Sequence, residues 1–187
     1  AVSYLYYADR IYQINLAIAG IAVGTVVLPN LSKKIKENNK NSINILQNKS
    51  LELSLALSLP AAFGLFIASK EIVSSLFGYG SFTQDDVGNT SLALMYFALG
   101  VPAFALIKVL SSFYFARDNT KTPFYISFLS MVTNVFISLV FFKEYGFIII
   151  PIATTISSWL SVLIYFIFFN KNKIITFENK ILMNIYK

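Results

Sequence analysis

The sequence predicts an all-α integral membrane protein, a polytopic bundle of about five transmembrane helices. Hydrophobic residues make up 56% of the 187 residues and charged residues only 13%, whereas a typical soluble domain has about 25% charged residues. Five predominantly apolar segments have the length of about 20 residues with which a helix crosses a bilayer. We predict spans at 3–29, 51–69, 91–115, 123–142 and 146–169, within a single transmembrane region that covers 1–187.

These five segments are predicted to be helices rather than strands. The last of them, 146–169, is rich in Ile, Phe and Tyr, whose propensities alone favour a strand. An open strand in lipid leaves backbone groups without hydrogen-bond partners, so only helices and closed barrels span a membrane. Strands of a membrane barrel are about 10 residues long and alternate in polarity, and the segments lack that pattern.

The composition excludes several classes of function. The chain has no Cys and no His, so it has no disulfide, no Cys/His zinc site and no nucleophile paired with an imidazole. We expect no cofactor, no metal and no enzymatic activity, because an intramembrane transferase would need an acid–base pair and the spans contain few carboxylates. The net charge of +6 would suit nucleic acid only on a soluble basic face, and the sequence offers none.

The distribution of basic residues predicts the orientation. Segments 30–50, 116–122 and 170–187 hold eleven Lys and Arg, and the alternate segments hold three. Because cytoplasmic loops carry the excess of Lys and Arg, the chain is expected to start on the periplasmic side and to end in the cytoplasm. Residues 170–187 are expected to form an amphipathic helix or the start of a further span. Both chain ends interrupt hydrophobic patterns, which indicates a fragment of a larger protein.

Two local signals predict where helices begin and bend. The sequence Thr-Gln-Asp-Asp at 83–86 has the form of a helix N-cap box and follows a glycine-containing loop. Pro60, Pro102 and Pro151 lie inside or near the start of spans, where proline kinks can serve as hinges. We therefore expect a new helix to begin at Thr83 on the outer side.

The first span carries a stripe of polar and small residues. Spacings of three and four place on one helical face Ser3, Tyr6, Arg10, Gln13, Ala17, Gly20 and Gly24. Gly20 and Gly24 form a GxxxG pattern, which is typical of close helix packing. Arg10 either pairs structurally with Asp9 or a neighbouring helix, or binds an anion in a water-filled cavity lined by the outer half of the stripe.

The roles of the other polar residues within the spans are predicted less specifically. Lys108 either snorkels towards the cytoplasmic headgroups or projects into a polar interior. Asn134 belongs to a polar stripe in the fourth span, and a second stripe runs along the fifth. Such residues are more often interhelical hydrogen-bond partners than ligands. The two stripes are Ser127, Ser130, Asn134 and Ser138, and Thr154, Ser158, Ser161 and Tyr165.

Several of these segments, in the same order and with the same spacing, resemble the MurJ/MviN family of lipid II flippases. YYADRIYQ at 6–13, running into GIAVGTVVLPNLS at 20–32, resembles the family's eighth helix, and FGYGSFT at 77–83 its periplasmic loop. The tenth helix and the cytoplasmic turn after it are matched by 98–110 and 113–123, and the twelfth helix by ATTISSW at 153–159. One departure is Ser161, where the family often has Asn.

The resemblance implies a fold of the multidrug/oligosaccharidyl-lipid/polysaccharide (MOP) exporter superfamily, which is MATE-like. Two six-helix lobes rock around a central cavity in that fold, and this chain would hold about helices 8 to 12 of one lobe. The implied function is translocation of lipid II, the lipid-linked peptidoglycan precursor, from the cytoplasmic to the periplasmic leaflet by alternating access. The resemblance implies that Arg10 binds substrate, and we predict that its neighbours Asp9, Gln13 and Tyr6 belong to the same substrate-binding site.

The implied location is the bacterial inner membrane, with lipid II and membrane lipids as partners and a monomeric full-length protein. Two alternatives stay open within membrane proteins. One is another exporter of the superfamily, either a polysaccharide-lipid flippase or a cation-coupled drug antiporter; an antiporter usually needs a deep carboxylate, for which Asp9 is the candidate. The other is a structural membrane module without transport activity.

Overall fold

A computed structural model describes residues 2–17, 20 and 23–171, and all regular structure within them is helical. The predicted all-α fold is confirmed. The helices are α1 Val2–Leu16, α2 Val23–Lys36, α3 Lys40–Ile67, α4 Ser69–Phe77, α5 Gln84–Ala98, α6 Val101–Phe115, α7 Lys121–Tyr145 and α8 Ile149–Lys171, with a short 3-10 turn at Gly146–Ile148 between the last two. The tail prediction for 170–187 falls almost entirely outside the described residues.

The helix bounds differ from the bounds of the predicted spans, and two of the differences concern the second and third spans. The second span starts earlier than expected, since α3 begins at Lys40, where the Asn39 side chain accepts a hydrogen bond from the backbone N–H of Ser42 over 3.1 Å. The third span is divided into α5 and α6, which are bent by 43° at their junction. Pro102, predicted to kink this span, stands at the start of α6.

By length and apolar composition, two described stretches can cross a membrane. They are Lys40–Ile67 and Lys121–Lys171, and the bent pair Gln84–Ala98 and Val101–Phe115 would be a third. The second stretch folds back on itself, because Ser130 and Asn134 of α7 bond Ser157 and Thr154 of α8 in antiparallel order. Each arm of this hairpin has more than 20 residues, enough to cross a bilayer. The number of five spans stays a prediction.

Helices α1 and α2 run parallel to α5 and α6. At the start of both, the Tyr4 hydroxyl donates to Asp86 Oδ1 over 2.7 Å. Further along, the Tyr12 ring stacks on Phe97 with centroids 4.9 Å apart, and Gly24 lies against Ser112. Because successive membrane spans alternate in direction, the first and third spans of a series must run parallel to each other.

The core consists of two hydrophobic clusters, one towards each end of the bundle. The cluster near the basic ends of α2 and α8 centres on large buried aromatics, with ring centroids of Tyr114 and Phe169 4.8 Å apart and those of Phe113 and Phe169 6.0 Å apart. The other cluster packs α1 against α5 through Ala8, Tyr12 and other apolar side chains. α1 is therefore fixed by its inner side, and none of the described residues packs over the opposite face, which is exposed.

The predicted N-cap at Thr83 is confirmed. The Thr83 hydroxyl accepts from the backbone N–H of Asp86 over 3.2 Å, and the Asp86 carboxylate accepts from the backbone N–H of Thr83 over 2.8 Å. This reciprocal box satisfies two N–H groups that no helical carbonyl can reach. Because the same carboxylate also bonds Tyr4, the cap ties the start of α1 to the start of α5.

Candidate functional site

The candidate site is the face of α1 that the rest of the bundle leaves open. Ser3, Tyr6, Arg10, Gln13 and Ala17 are all exposed along it. Residues on the opposite side of the helix, such as Ala8 and Ile11, are buried in the core. The outer half of the sequence stripe is thus a continuous accessible surface with one basic residue at its centre.

The guanidinium of Arg10 is held by a tyrosine rather than by a carboxylate. Its Nη2 donates to the Tyr6 hydroxyl over 2.9 Å, and its Cζ lies 4.9 Å from the centroid of the same ring. Tyr6 stands one helical turn before Arg10, at the spacing that brings side chains together on a helix surface. Tyr6 accepts through its hydroxyl and offers its ring face to the cation, so the contact fixes the guanidinium without forming an ion pair.

Asp9 is engaged along its own row of the helix. Its Oδ2 accepts a hydrogen bond from Gln13 Nε2. Within the part of the chain that the structure describes, Asp9 and Arg10 form no ion pair, although they are adjacent in sequence. Adjacent residues on a helix point in different directions, and Gln13 occupies the Asp9 carboxylate one turn further on.

The inner half of the stripe is packed against α6. A Cβ on Gly20 would lie 3.2 Å from the Cα of Ala105 and 3.4 Å from Cγ of Lys108, and a Cβ on Gly24 would lie 3.3 Å from Oγ of Ser112. Both glycines are buried. The α6 residues that meet them follow the spacing of one helical face, so the contact is a close crossing of two backbones.

Lys108 lies at this crossing with its head accessible. The residue is exposed as a whole, while its stem passes beside Gly20. A lysine that lays its methylenes along an apolar contact and keeps its ammonium free is the ordinary snorkelling arrangement. Lys108 lies beside Gly20 in the inner half of the stripe, whereas Arg10 lies in the outer half. The structure therefore does not bring these two basic residues together.

The polar stripes of α7 and α8 meet each other rather than the Arg10 face. Asn134 Nδ2 donates to Thr154 Oγ1 over 2.9 Å, and the Ser130 hydroxyl donates to the carbonyl of Ser157 over 3.1 Å. A cleft of about 270 Å³ opens beside these bonds. Its walls come from α6, α7 and α8, namely Phe104, Ile107, Ser127, Ser130, Met131, Asn134, Thr154, Ser157 and Ser158.

Two stripe residues have roles inside the bundle. Ser161 donates to the carbonyl of Ser157 in its own helix over 3.0 Å, and the Tyr165 ring is buried against Tyr114. Neither faces the cleft or the Arg10 surface. The departure of Ser161 from the family pattern therefore falls on a buried residue that the structure bonds to its own helix.

Sequence reasoning missed the residues that complete the junction between α5 and α6. Thr155 Oγ1 donates to the carbonyl of Tyr96 over 2.9 Å, and Trp159 Nε1 donates to the carbonyl of Leu99 over 3.0 Å. Thr155 and Trp159 are one turn apart on α8, a spacing visible in the sequence. Nothing in the sequence shows that this pair meets carbonyls about 60 positions earlier.

The arrangement offers binding rather than bond-making chemistry. Within the described ranges, no group of three or more His, Cys, Asp or Glu side chains is arranged to hold a metal. The stripe presents a guanidinium, a phenol and a carboxamide, all hydrogen-bonding groups. A guanidinium forms paired hydrogen bonds with planar or tetrahedral oxyanions, above all carboxylates and phosphates.

Comparison with known proteins places these features in one family. The family described as "MurJ: Lipid II flippase MurJ" matches residues 1–187. A solved structure of "Lipid II flippase MurJ, inward closed conformation" superposes on 96% of this chain with a TM-score of 0.83 and 32% sequence identity. The matched part is 37% of that solved chain.

Curated relatives give the same result from sequence. A "Probable lipid II flippase MurJ" of Rickettsia prowazekii (strain Madrid E) is 41% identical over 159 residues, which is 85% of this chain and 31% of the relative. A protein of the same description from Rhizobium meliloti (strain 1021) is 40% identical over 166 residues, 89% of this chain and 31% of the relative. The chain thus spans about a third of the length of the curated relatives that it matches.

Proposed function

The chain belongs to the MurJ family of lipid II flippases, and on that premise we propose that the protein containing it moves lipid II across the cytoplasmic membrane. The chain is part of a multi-pass protein of the inner membrane. The proposed direction is from the cytoplasmic to the periplasmic leaflet. The proposed process breaks and forms no covalent bond, because it consists of binding, reorientation and release.

The observation that carries the proposal is the state of Arg10. Its guanidinium is exposed, is held by a neutral phenol, and forms no ion pair with the adjacent Asp9. A structural arginine inside a membrane protein is normally paired, since an unpaired charge there costs about 2.5–3.5 kcal/mol on insertion scales. An arginine that has no acidic partner among the described residues and lies on an open face suits a ligand that brings its own negative charge, and lipid II carries a pyrophosphate.

The packing of α1 supports a role in alternating access. The inner side of α1 is attached to α5 through the Tyr4–Asp86 bond and the Tyr12–Phe97 stack. Gly20 and Gly24 continue this attachment along α6. The stripe and the bundle behind it would therefore move as one body, which is how one lobe rocks against another in such transporters.

The proposed orientation places the basic end of the bundle in the cytoplasm. Lys33, Lys34 and Lys36 lie in the last turn of α2, and Lys171 in the last turn of α8. The α6–α7 connection adds Arg117 at the same end, because Phe113 and Phe169 are in contact there. Tyr4 and Asp86 at the opposite end would face the periplasm. The full-length protein is proposed to act as a monomer.

The test of the function is transport by the purified full-length protein. Vesicles containing it should expose fluorescent lipid II from the inner leaflet to a membrane-impermeant quencher faster than protein-free vesicles do. A full-length Arg10→Gln variant, incorporated in equal amount, should be no faster than the protein-free control. Transport of lipid II at the protein-free rate by the unaltered, correctly folded protein would contradict the proposal and favour a structural role.

A further inference from the structure

We infer that Tyr6 and Gln13 are positioning residues that keep Arg10 unpaired and aimed at an anionic ligand, rather than ligands of lipid II themselves. The inference rests on the proposed function, and it concerns how the same site retains its charge. Two hydrogen bonds carry it: Arg10 Nη2 to the Tyr6 hydroxyl, and Gln13 Nε2 to Asp9 Oδ2. Each joins residues four positions apart, so they form two neighbouring rows along α1.

The Tyr6 contact fixes the guanidinium without neutralising it. One of the five guanidinium N–H donors is directed to the phenol oxygen over 2.9 Å, and the cation lies 4.9 Å from the ring centroid. Tyr6 and Arg10 are both exposed, so an oxyanion can approach the donors that the phenol does not use. The Arg10 side chain loses less freedom when that ligand binds.

The Gln13 contact removes the nearest competitor. Adjacent residues leave a helix in different directions, but the long Arg10 side chain would still turn towards a free Asp9 carboxylate, which would then compete with a pyrophosphate for the same guanidinium. Gln13 lies one turn further along and donates to that carboxylate instead, and the Tyr12 hydroxyl bonds it as well. The sequence order Tyr6, Asp9, Arg10, Gln13 thus separates an acid and a base that are adjacent in the chain.

Lipid II binding by the full-length protein tests this arrangement. Tyr6→Phe keeps the ring and removes the hydroxyl, so it should raise the Kd for lipid II about 3- to 10-fold, the range expected for one ordinary hydrogen bond. Tyr7→Phe is the matched control. The Tyr7 ring packs against Phe77 and Phe82, with centroids 4.7 and 5.4 Å away, and its variant should bind as the unaltered protein does.

Two further variants give readouts that a merely structural role would not change. Gln13→Ala should raise the Kd about 3-fold or more, at least the effect of one ordinary hydrogen bond, and adding Asp9→Asn to it should restore affinity because the competing carboxylate is gone. In an Arg10→Gln protein, Tyr6→Phe should have no additional effect beyond about twofold, since residues that act through one another are not additive.

The possible failures are distinguishable. Unaltered lipid II affinity in Arg10→Gln would overturn the binding role of Arg10, whereas transport at the protein-free rate by the unaltered protein would overturn the proposed function itself. Weak binding in Arg10→Gln together with unaltered binding in Tyr6→Phe and Gln13→Ala would leave that function standing and overturn the positioning role. If Tyr6→Phe abolished the remaining lipid II binding of an Arg10→Gln protein, Tyr6 would be a direct ligand. If adding Asp9→Asn did not restore the lipid II affinity of Gln13→Ala, the competition argument would be contradicted.

Discussion

The indole N–H of Trp159 donates to the backbone carbonyl of Leu99 over 3.0 Å, joining α8 to the junction at which α5 and α6 bend. One turn earlier on α8, the Thr155 hydroxyl bonds the carbonyl of Tyr96. The bend turns the N–H of Gly100 to the carbonyl of Phe97, so the Tyr96 carbonyl loses its usual helical donor. In hydrocarbon an unpaired carbonyl is costly, and α8 supplies the missing donors.

The first prediction follows from this junction. Thr155→Val removes one of the two donors and keeps a similar shape, whereas Trp159→Phe removes the other donor together with part of the ring system. Because a carbonyl left unsatisfied away from water costs about 1–3 kcal/mol, Thr155→Val should lower the melting temperature of the purified protein in detergent. Trp159→Phe, whose bond to Leu99 is exposed, should lower it through the lost donor and the lost ring contacts together. Thr133→Val is the control, since the Thr133 hydroxyl bonds the Leu129 carbonyl of its own helix on an exposed face. Equal melting temperatures in Thr155→Val and Thr133→Val would refute this role of α8.

The second prediction concerns the crossing of α2 and α6. Gly24→Leu would place a side chain where a Cβ alone already lies 3.3 Å from the Ser112 hydroxyl and 3.5 Å from the Lys108 carbonyl. Since a backbone carbonyl cannot yield as a flexible side chain does, the helices must separate. We expect lower abundance in the membrane and lower thermal stability in detergent.

A second glycine provides the control for Gly24→Leu. Gly64 lies on the exposed side of α3 with nothing within 4 Å of a Cβ, and leucine has a higher helix propensity than glycine. Gly64→Leu should therefore be at least as stable as the unaltered protein. If a Gly24→Leu protein had normal abundance and stability but failed to transport lipid II, Gly24 would belong to the transport pathway rather than to the helix-packing contact.

The third prediction tests the orientation. Because the sequence has no Cys, single cysteines can be introduced without background. Ser42→Cys and Asn119→Cys lie at the basic end and should resist an impermeant thiol reagent in intact cells. Ser81→Cys, in the exposed loop before α5, should react. Labelling of Asn119→Cys from outside at the rate of Ser81→Cys would reverse the proposed orientation, and permeabilised cells verify that every cysteine can react.

The sequence predicted those features of the fold that depend on local chemistry. The apolar segments indicated where helices lie, and Thr83 and Asp86 predicted the N-cap. Pro102, one of three prolines at which a kink was considered, lies beside the bend. The sequence underestimated the length of α3, because a hydropathy pattern detects only the apolar part of a helix that crosses the membrane. The first turns of α3 are polar and contain Gln47, which is fully buried inside the bundle. A buried polar residue of this kind cannot be recognised from a hydropathy pattern.

The candidate site was predictable to the level of one helix face. Spacing alone placed Tyr6, Arg10 and Gln13 on a common stripe, and the structure leaves all three exposed. The alternatives for Arg10 could not be separated from sequence, because the choice between Asp9 and Tyr6 as its partner depends on side-chain rotamers. Contacts between distant segments, such as Thr155 with Tyr96, have no local signal at all.

The most direct test of the central claim is growth complementation by full-length Arg10 variants in flippase-depleted cells, measured together with their abundance in the membrane. Arg10→Gln should reach normal abundance, because Arg10 is exposed, and should fail to support growth because the charge is lost. Arg10→Lys, which keeps the charge and loses the paired hydrogen bonds of a guanidinium, should support growth partially at best. Normal growth with Arg10→Gln at normal abundance would contradict the account.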